Sequence, residues 1–296
     1  NPESANYGKY WTQEKIDELV SPPAAEVRQL VDNLKDAGIE CEQMGAALKC
    51  SEIPCLDRLS SLVDFVAAPG AIYMPRHHVG DGDGFVGREV MTTLYNITDA
   101  HVENPEVSLC AVEYQSGEGF NADDLTQQQT LNAETPISIA TEHTVGSNGG
   151  PDTETQLDVQ MMAQVAENVN LWYWHEDNWL YSFAVHFLNR TKVPDVLSIS
   201  WGWSEFFQCQ PGLGPCPNIT SAQYVHRTNL EYVKMGLRGV SVMAASGDAG
   251  APGRTNENCD EASGVSPIFP GSSPYITSVG ATYIVPSQPV ALNVWN

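Results

Sequence analysis

Positive charge is scarce in this sequence: 14 Lys and Arg stand against 37 Asp and Glu, a formal net charge of −23. A surface of that sign repels phosphate backbones and argues against nucleic-acid partners. It suits a protein that works in acid, where carboxylates lose their charge and self-repulsion eases. Long apolar runs are missing too. Nothing approaches the about 18 consecutive apolar residues of a spanning helix, which argues against an integral membrane protein. The short motifs of hydrolytic and cofactor chemistry are absent or out of place. No Gly-x-Ser-x-Gly elbow occurs, and His175-Glu176 does not extend to His-Glu-x-x-His. His77-His78 lacks partners at zinc-ligand spacing, so no metal site is expected within the chain. Gly82 to Gly87 fits Gly-x-Gly-x-x-Gly, but a polar stretch rather than a strand precedes it. The chain opens at Asn1 with no signal peptide, so its compartment has to be read from other features.

What is present is globular in character. At 296 residues and 42% hydrophobic composition, the chain can bury a sizeable core in one large or two modest domains. Seven cysteines include the closely spaced pairs Cys41/Cys50 and Cys209/Cys216, and the odd count leaves one thiol free or paired elsewhere. Asn96, Asn189 and Asn218 each open an Asn-x-Ser/Thr acceptor for glycosylation. Together these features favour the secretory route.

Residues 1–76 read as a small α+β unit. Ser21 and Pro22 predict a capped helix start. Val27, Leu30, Val31 and Leu34 then form a helical stripe, and Gly38 stops it. Ile39 to Cys50 predicts a hairpin turning near Gly45, which a Cys41–Cys50 bridge could staple. Residues 77–90 have linker composition. From residue 91 onward, strands predicted near 107–113, 137–144, 195–201 and 239–246 alternate with helices near 121–133, 153–168, 178–189 and 221–237. That alternation implies a mainly parallel α/β sheet with flanking helices. Chemistry in such sheets gathers at the carboxyl ends of the strands.

Three segments could carry it. In the helix predicted from Thr153, Glu154 and Asp158 share a face, while Val159, Met162, Ala163 and Ala166 form an apolar stripe. Acidic residues in a first helical turn also complement the helix dipole, which explains Glu154 better than Asp158. Asp195 to Gly202 is an apolar strand ending in Ser200-Trp201-Gly202. Val240 to Gly253 runs from a buried strand into small residues around Asp248, a residue type that also bonds its own backbone in turns. Trp172, Tyr173, Trp174 and Trp179 read as core, with Trp172 or Trp174 a possible pocket wall. A glycosidase pair should face each other from different elements about 5–10 Å apart, which two carboxylates on one helical turn fit poorly.

Taken in order, the motifs resemble the sedolisins, the serine-carboxyl peptidases, and most closely their tripeptidyl-peptidase branch. Asn1 to Thr12 is similar to the propeptide opening, and Leu94 to Thr98 to the start of the mature domain. Glu-Thr-Gln-Leu-Asp (154–158), Ser-Ile-Ser-Trp-Gly (198–202), Ala-Ser-Gly-Asp-Ala-Gly (245–250) and the stretch from Phe269 follow in family order. The resemblance implies a subtilisin-like fold over 91–296, capped by an inhibitory prodomain. Glu154 would be the general base, Asp158 its orienting partner and Asp248 the oxyanion-hole donor. Ser200, Trp201 and Gly202 would bind peptide or unfolded-protein substrate in extended form.

The nucleophilic serine of the family sits in a Gly-Thr-Ser motif, and none occurs here. Its calcium site is likewise expected beyond residue 296. The chain is therefore expected to lack the C-terminal part of the catalytic domain and to be inactive alone. The prodomain looks shortened between Cys50 and Val63, and Cys259 would pair downstream. A secreted or lysosomal/vacuolar location follows from the resemblance. The rival expectation is a catalytically dead relative that keeps the groove and binds peptides.

Overall fold

The computed structural model describes residues 3–52, 63, 66, 87–97, 102–210, 216, 218–254, 264–284 and 292–294. Its first elements are α1 (Gln13–Val20), α2 (Ala24–Asp36), β1 (Cys41–Met44) and β2 (Ala47–Cys50). Then come α3 (Arg88–Leu94), β3 (Ser108–Glu113), β4 (Glu118–Gly119), α4 (Ala122–Leu131), β5 (Thr144–Val145), β6 (Gly150–Pro151) and α5 (Thr153–Val165). They are followed by β7 (Asn170–His175), α6 (Leu180–Leu188), β8 (Val196–Ile199), β9 (Trp203–Ser204) and α7 (Ser221–Leu237). The last are β10 (Ser241–Ala245), β11 (Ile268–Phe269), β12 (Thr277–Val279), β13 (Thr282–Ile284) and β14 (Leu292–Val294).

The chain divides into two compact units, one of residues 1–70, 178–193 and 206–240, the other of 71–177, 194–205 and 241–296. In the first, α2 begins at Ala24 with Pro23 at its cap position, not at Ser21 as predicted. A residue that precedes proline is pushed out of helical geometry, so Pro22 cannot join the helix. Gly38, at φ +82°, ends the segment as expected. The hairpin pairs Cys41 with Cys50 and Met44 with Ala47, turning at Gly45-Ala46, and a disulfide joins Cys41 to Cys50. Within the same unit α6 packs on α7, whose capping box joins Thr220 and Gln223. A second disulfide joins Cys209 to Cys216.

The second unit is built on a six-stranded parallel sheet in the order β12-β10-β8-β3-β7-β5. Helices α4 and α5 cover it through a core of Ala111, Phe120, Leu125, Val159, Ala163, Leu171 and Tyr173. Met162 and Ala166 pack against that core, so the whole predicted apolar stripe of α5 faces inward. Each large apolar side chain buried there contributes about 1.5–3 kcal/mol. The helix stops at Val165, short of the predicted 168, and Asn168 turns the chain at φ +60°.

The strand predicted over 137–144 is a correction. Only Thr144–Val145 pair, as β5 at the sheet edge, after a 3-10 turn over Thr141–His143. Ile137 and Ile139 are apolar because they pack against the α5 core, not because they sit in a ladder. Conversely, the Trp172-Tyr173-Trp174 cluster is buried core on β7, beside the central strand β3. Trp172 and Trp174 are 2% and 1% exposed, as core residues are. Among the described residues no helix is long and apolar enough to cross a membrane. Gly82 to Val86 of the glycine motif, His77-His78, Cys259 and most of 50–63 lie outside the described residues.

Candidate active site

Helix α5 is held at both ends. Asp152 caps its start, Oδ1 accepting from the backbone N–H groups of Glu154 (2.9 Å) and Thr155 (3.3 Å). Gln156 ties that first turn to α4 by donating to Asp124 Oδ2 (2.6 Å) and accepting from the Asn121 N–H (3.1 Å). At the other end Arg88, on α3, donates to the Gln164 carbonyl (3.0 Å) and pairs with Glu167 (3.2 Å). A guanidinium there complements the negative end of the helix dipole. The preceding loop is clasped as well: Asn148 accepts from the Phe120 N–H (2.9 Å) and donates to its carbonyl (3.2 Å).

Half-buried Glu154 and Asp158 therefore project from a fixed helix, close to the carboxyl ends of β3 and β8. The Ser200 hydroxyl, just past β8, donates to Asp158 Oδ2 at 2.6 Å. Next to it the Trp201 indole N–H donates to Glu113 Oε2 at 2.5 Å. Glu113 is the last residue of β3 and only 1% exposed. Its Oε1 is buried and makes no well-formed hydrogen bond among the described residues, so its interaction with Asp158 is a loose one. Together they form a run from Trp201 through Glu113 and Asp158 to Ser200, with Glu154 one helical turn away.

Electrostatics push protons onto this cluster. Burial, and then the neighbouring charge of Asp158, hold Glu113 well above the ordinary carboxylate range, against the pull of the Trp201 hydrogen bond. Asp158 is raised to about 6, first by burial, while hydrogen bonds from Ser200 and Glu113 oppose the rise. Glu154 is raised to about 7 by burial, then by the charges of Asp158, Asp248 and Asp152; Arg254 opposes them. The three carboxyls titrate as one set sharing protons.

Asp248 follows β10 and is within electrostatic reach of Glu154. Its side chain is 57% exposed, and Oδ2 pairs with Arg254 at 3.0 Å. The Arg254 guanidinium also lies over the Trp203 ring, 5.8 Å from its centroid. Beside Asp248 opens a cavity of about 510 Å³, walled by Gly247, Ser266, Ile268, Gly271 and Ser272.

With that geometry in place, the comparisons with known proteins are informative. Residues 1–50 match the pro-kumamolisin activation domain model. Physarolisin of Physarum polycephalum is 36% identical over 327 residues, a match covering 95% of this chain and 55% of that protein. Tripeptidyl-peptidase 1 of Pan troglodytes is 26% identical, covering 95% of this chain and 57% of that protein. This chain belongs to the sedolisin family. It spans about half the length of the curated relatives it matches. A solved structure of the epidermin leader peptide processing serine protease of Staphylococcus aureus covers 88% of this chain and 69% of its own, at TM-score 0.50 and 10% identity. That likeness speaks for the fold alone: a mainly parallel, subtilisin-like sheet with flanking helices, here following an activation-domain segment.

Against this sedolisin framework the sequence-derived residues sort clearly. Glu154, Asp158 and Ser200 meet in one place, and Asp248 acts on Glu154 from the next strand end. Trp201 is only 8% exposed, and its indole N–H is spent on Glu113. Gly202 is needed for space. A Cβ there would lie 2.7 Å from Ile268 and 3.0 Å from the Phe269 carbonyl. His175 is buried, held by the Ser147 hydroxyl (2.9 Å) and the Gln115 carbonyl (3.0 Å). Asn96, Asn189 and Asn218 are all exposed.

Glu113, Asp152 and Arg254 were missed. The available signal for Glu113 was a charge closing the otherwise apolar run Cys110-Ala111-Val112. Asp152 was legible as an N-cap. Arg254 carried no signal beyond being a rare cation.

Proposed function

We propose that the chain is the N-terminal part of a sedolisin-type zymogen whose mature form hydrolyses peptides with a serine nucleophile. The observation that carries this reading is the Trp201–Glu113–Asp158–Ser200 run ending beside Glu154. Glu154 is the general base that takes the serine proton, and Asp158, held by the Ser200 hydroxyl with Glu113 beside it, keeps it oriented. Asp248 donates to the developing oxyanion, which requires it to be protonated and its pair with Arg254 to open. Ser200 and the backbone of Trp201-Gly202 lie at the strand end where extended peptide would pair. Because Glu154 titrates near 7, its basic form is a growing minority from pH 5 upward. The reading therefore favours a weakly acidic optimum over a strongly acidic one.

The 296 residues contain no Gly-Thr-Ser, so the nucleophile is assigned to sequence beyond residue 296, and this chain alone is inactive. Among the described residues no three His, Cys, Asp or Glu side chains gather as metal ligands. The calcium implied by the family resemblance is assigned beyond residue 296 as well, and no step is routed through it. The match of residues 1–50 to an activation domain supports an inhibitory role for the N-terminal segment; the linker composition of 77–90 supports cleavage there. Two disulfides and three exposed acceptor asparagines support glycosylation and a secreted or lysosomal/vacuolar location. Relatives named tripeptidyl-peptidase favour release of tripeptides, with endopeptidase action the alternative.

The test is Glu154→Gln in the full-length parent protein. Loss of peptidase activity by at least about a hundredfold at pH 5–6, with folding unchanged, is expected of a general base. Near-normal activity would remove Glu154 from that role.

A further inference from the structure

Asp152 does more than begin a helix. Its Oδ1 supplies the cap, but Oδ2 is buried and makes no hydrogen bond among the described residues. Asn or Ser would cap as well without a charge, so capping alone does not call for a carboxylate here. An unpartnered buried carboxylate oxygen costs stability. Its own N–H donates to the Gly119 carbonyl (3.1 Å) and β4 pairs with β6, which hold the backbone of the cap in place. It sits where the positive end of the α5 dipole would otherwise favour ionised carboxylates in the first turn.

We propose that Asp152 is a positioning residue for the relay: its carboxylate at the α5 cap opposes the helix dipole beside Glu113, Glu154 and Asp158 and sets the pH at which the relay opens.

This rests on the peptidase reading of the site. Its charge acts on all three of those carboxyls in the raising direction. The other groups facing Glu154 are Asp158 on its own helix, Glu113 from β3, and Asp248 and Arg254 after β10; only Arg254 works the other way. Tyr173, from β7, lies with Glu118 and the buried Cys110 near Asp152 and Glu113, and is itself held neutral by burial and by the neighbouring carboxylates.

The experiment is a ¹³C-carboxyl NMR titration of Glu154 in this chain and in Asp152→Asn, with Asp152→Ser as a second capping variant. The Glu154 midpoint is expected to fall by about half a pH unit or more in both. Arg254→Gln should move it upward. In the full-length parent, the ascending limb of kcat/KM against pH should fall in step with the NMR midpoint. An unmoved midpoint in folded Asp152→Asn or Asp152→Ser overturns the proposal, as does a loss of stability with no shift. A shifted midpoint in a parent that cleaves no peptide would sink the peptidase reading and leave the charge effect standing.

Discussion

Asp158→Asn tests the carboxylate cluster through stability, without any need for turnover. Asp158 titrates at about 6 in the folded chain against an ordinary value of 3.8. Below 3.8 both folded and unfolded states hold the proton, and the full stability is present. Between 3.8 and about 6 the unfolded chain releases it while the folded chain keeps it, so stability falls as pH rises, then levels off. The difference of roughly 2 pH units corresponds to about 3 kcal/mol, a ceiling because Glu113 shares the proton. Asparagine mimics the protonated form: its oxygen accepts from Ser200 and its amide donates toward Glu113. The variant should match wild type at pH 4 and exceed it by about 2–3 kcal/mol at pH 7.5. Urea unfolding followed by tryptophan fluorescence at pH 4, 5, 6 and 7.5 measures this; carboxylates remote from Asp158 cancel in the difference, while the relief of Glu113 and Glu154 from its charge stays in it. Parallel curves for the two proteins, within about 0.5 kcal/mol across the range, would show that Asp158 is not buried against its neighbours as described.

Two further perturbations separate sterics from backbone conformation and test a staple. Gly146→Ala places a Cβ 2.2 Å from the His175 carbonyl at φ +79°, whereas Gly117→Ala, also at φ +79°, meets nothing within 4 Å. The first should cost about 2–4 kcal/mol and the second about 1, measured by urea denaturation at pH 5; equal costs would deny the close approach. Replacing both Cys41 and Cys50 by Ala opens a loop of nine-residue separation and should cost about 2–3 kcal/mol. Hydrogen exchange should rise in the β1–β2 hairpin and not in β3, β7 or β8. Uniform loosening would contradict the division into units.

The readable parts of the fold were those where local signals agree. In α7 a capping box, a helical apolar stripe and a clear end all coincide, and its span matches the prediction from 221 to 237. For α5 the stripe fixed the buried face, while its end was set by Asn168 turning left-handed, which periodicity cannot register. The 137–144 segment misled because Ile137 and Ile139 alternate like strand residues yet are buried by packing alone. Strand β7 was hidden by its aromatics, which mark burial before they mark a ladder. In the site, Glu154 and Asp158 share a helix and could be read together. Glu113 is brought beside Trp201, and so to the cluster, by the parallel pairing of β3 with β8, a partnership only the folded sheet creates. The helix start at Ala24 shows the limit of cap rules when two prolines adjoin.

On the proposed zymogen reading, the anchoring of α5 by Arg88 bears on where a cut can fall. The guanidinium that moors the far end of the reactive helix belongs to a residue at the very margin of the stretch proposed for cutting. A protease that stops short of Gly87 leaves that mooring line intact, and the two acids keep their alignment. In that reading, one that trims past Arg88 casts it off and leaves that end of the helix to its remaining contacts.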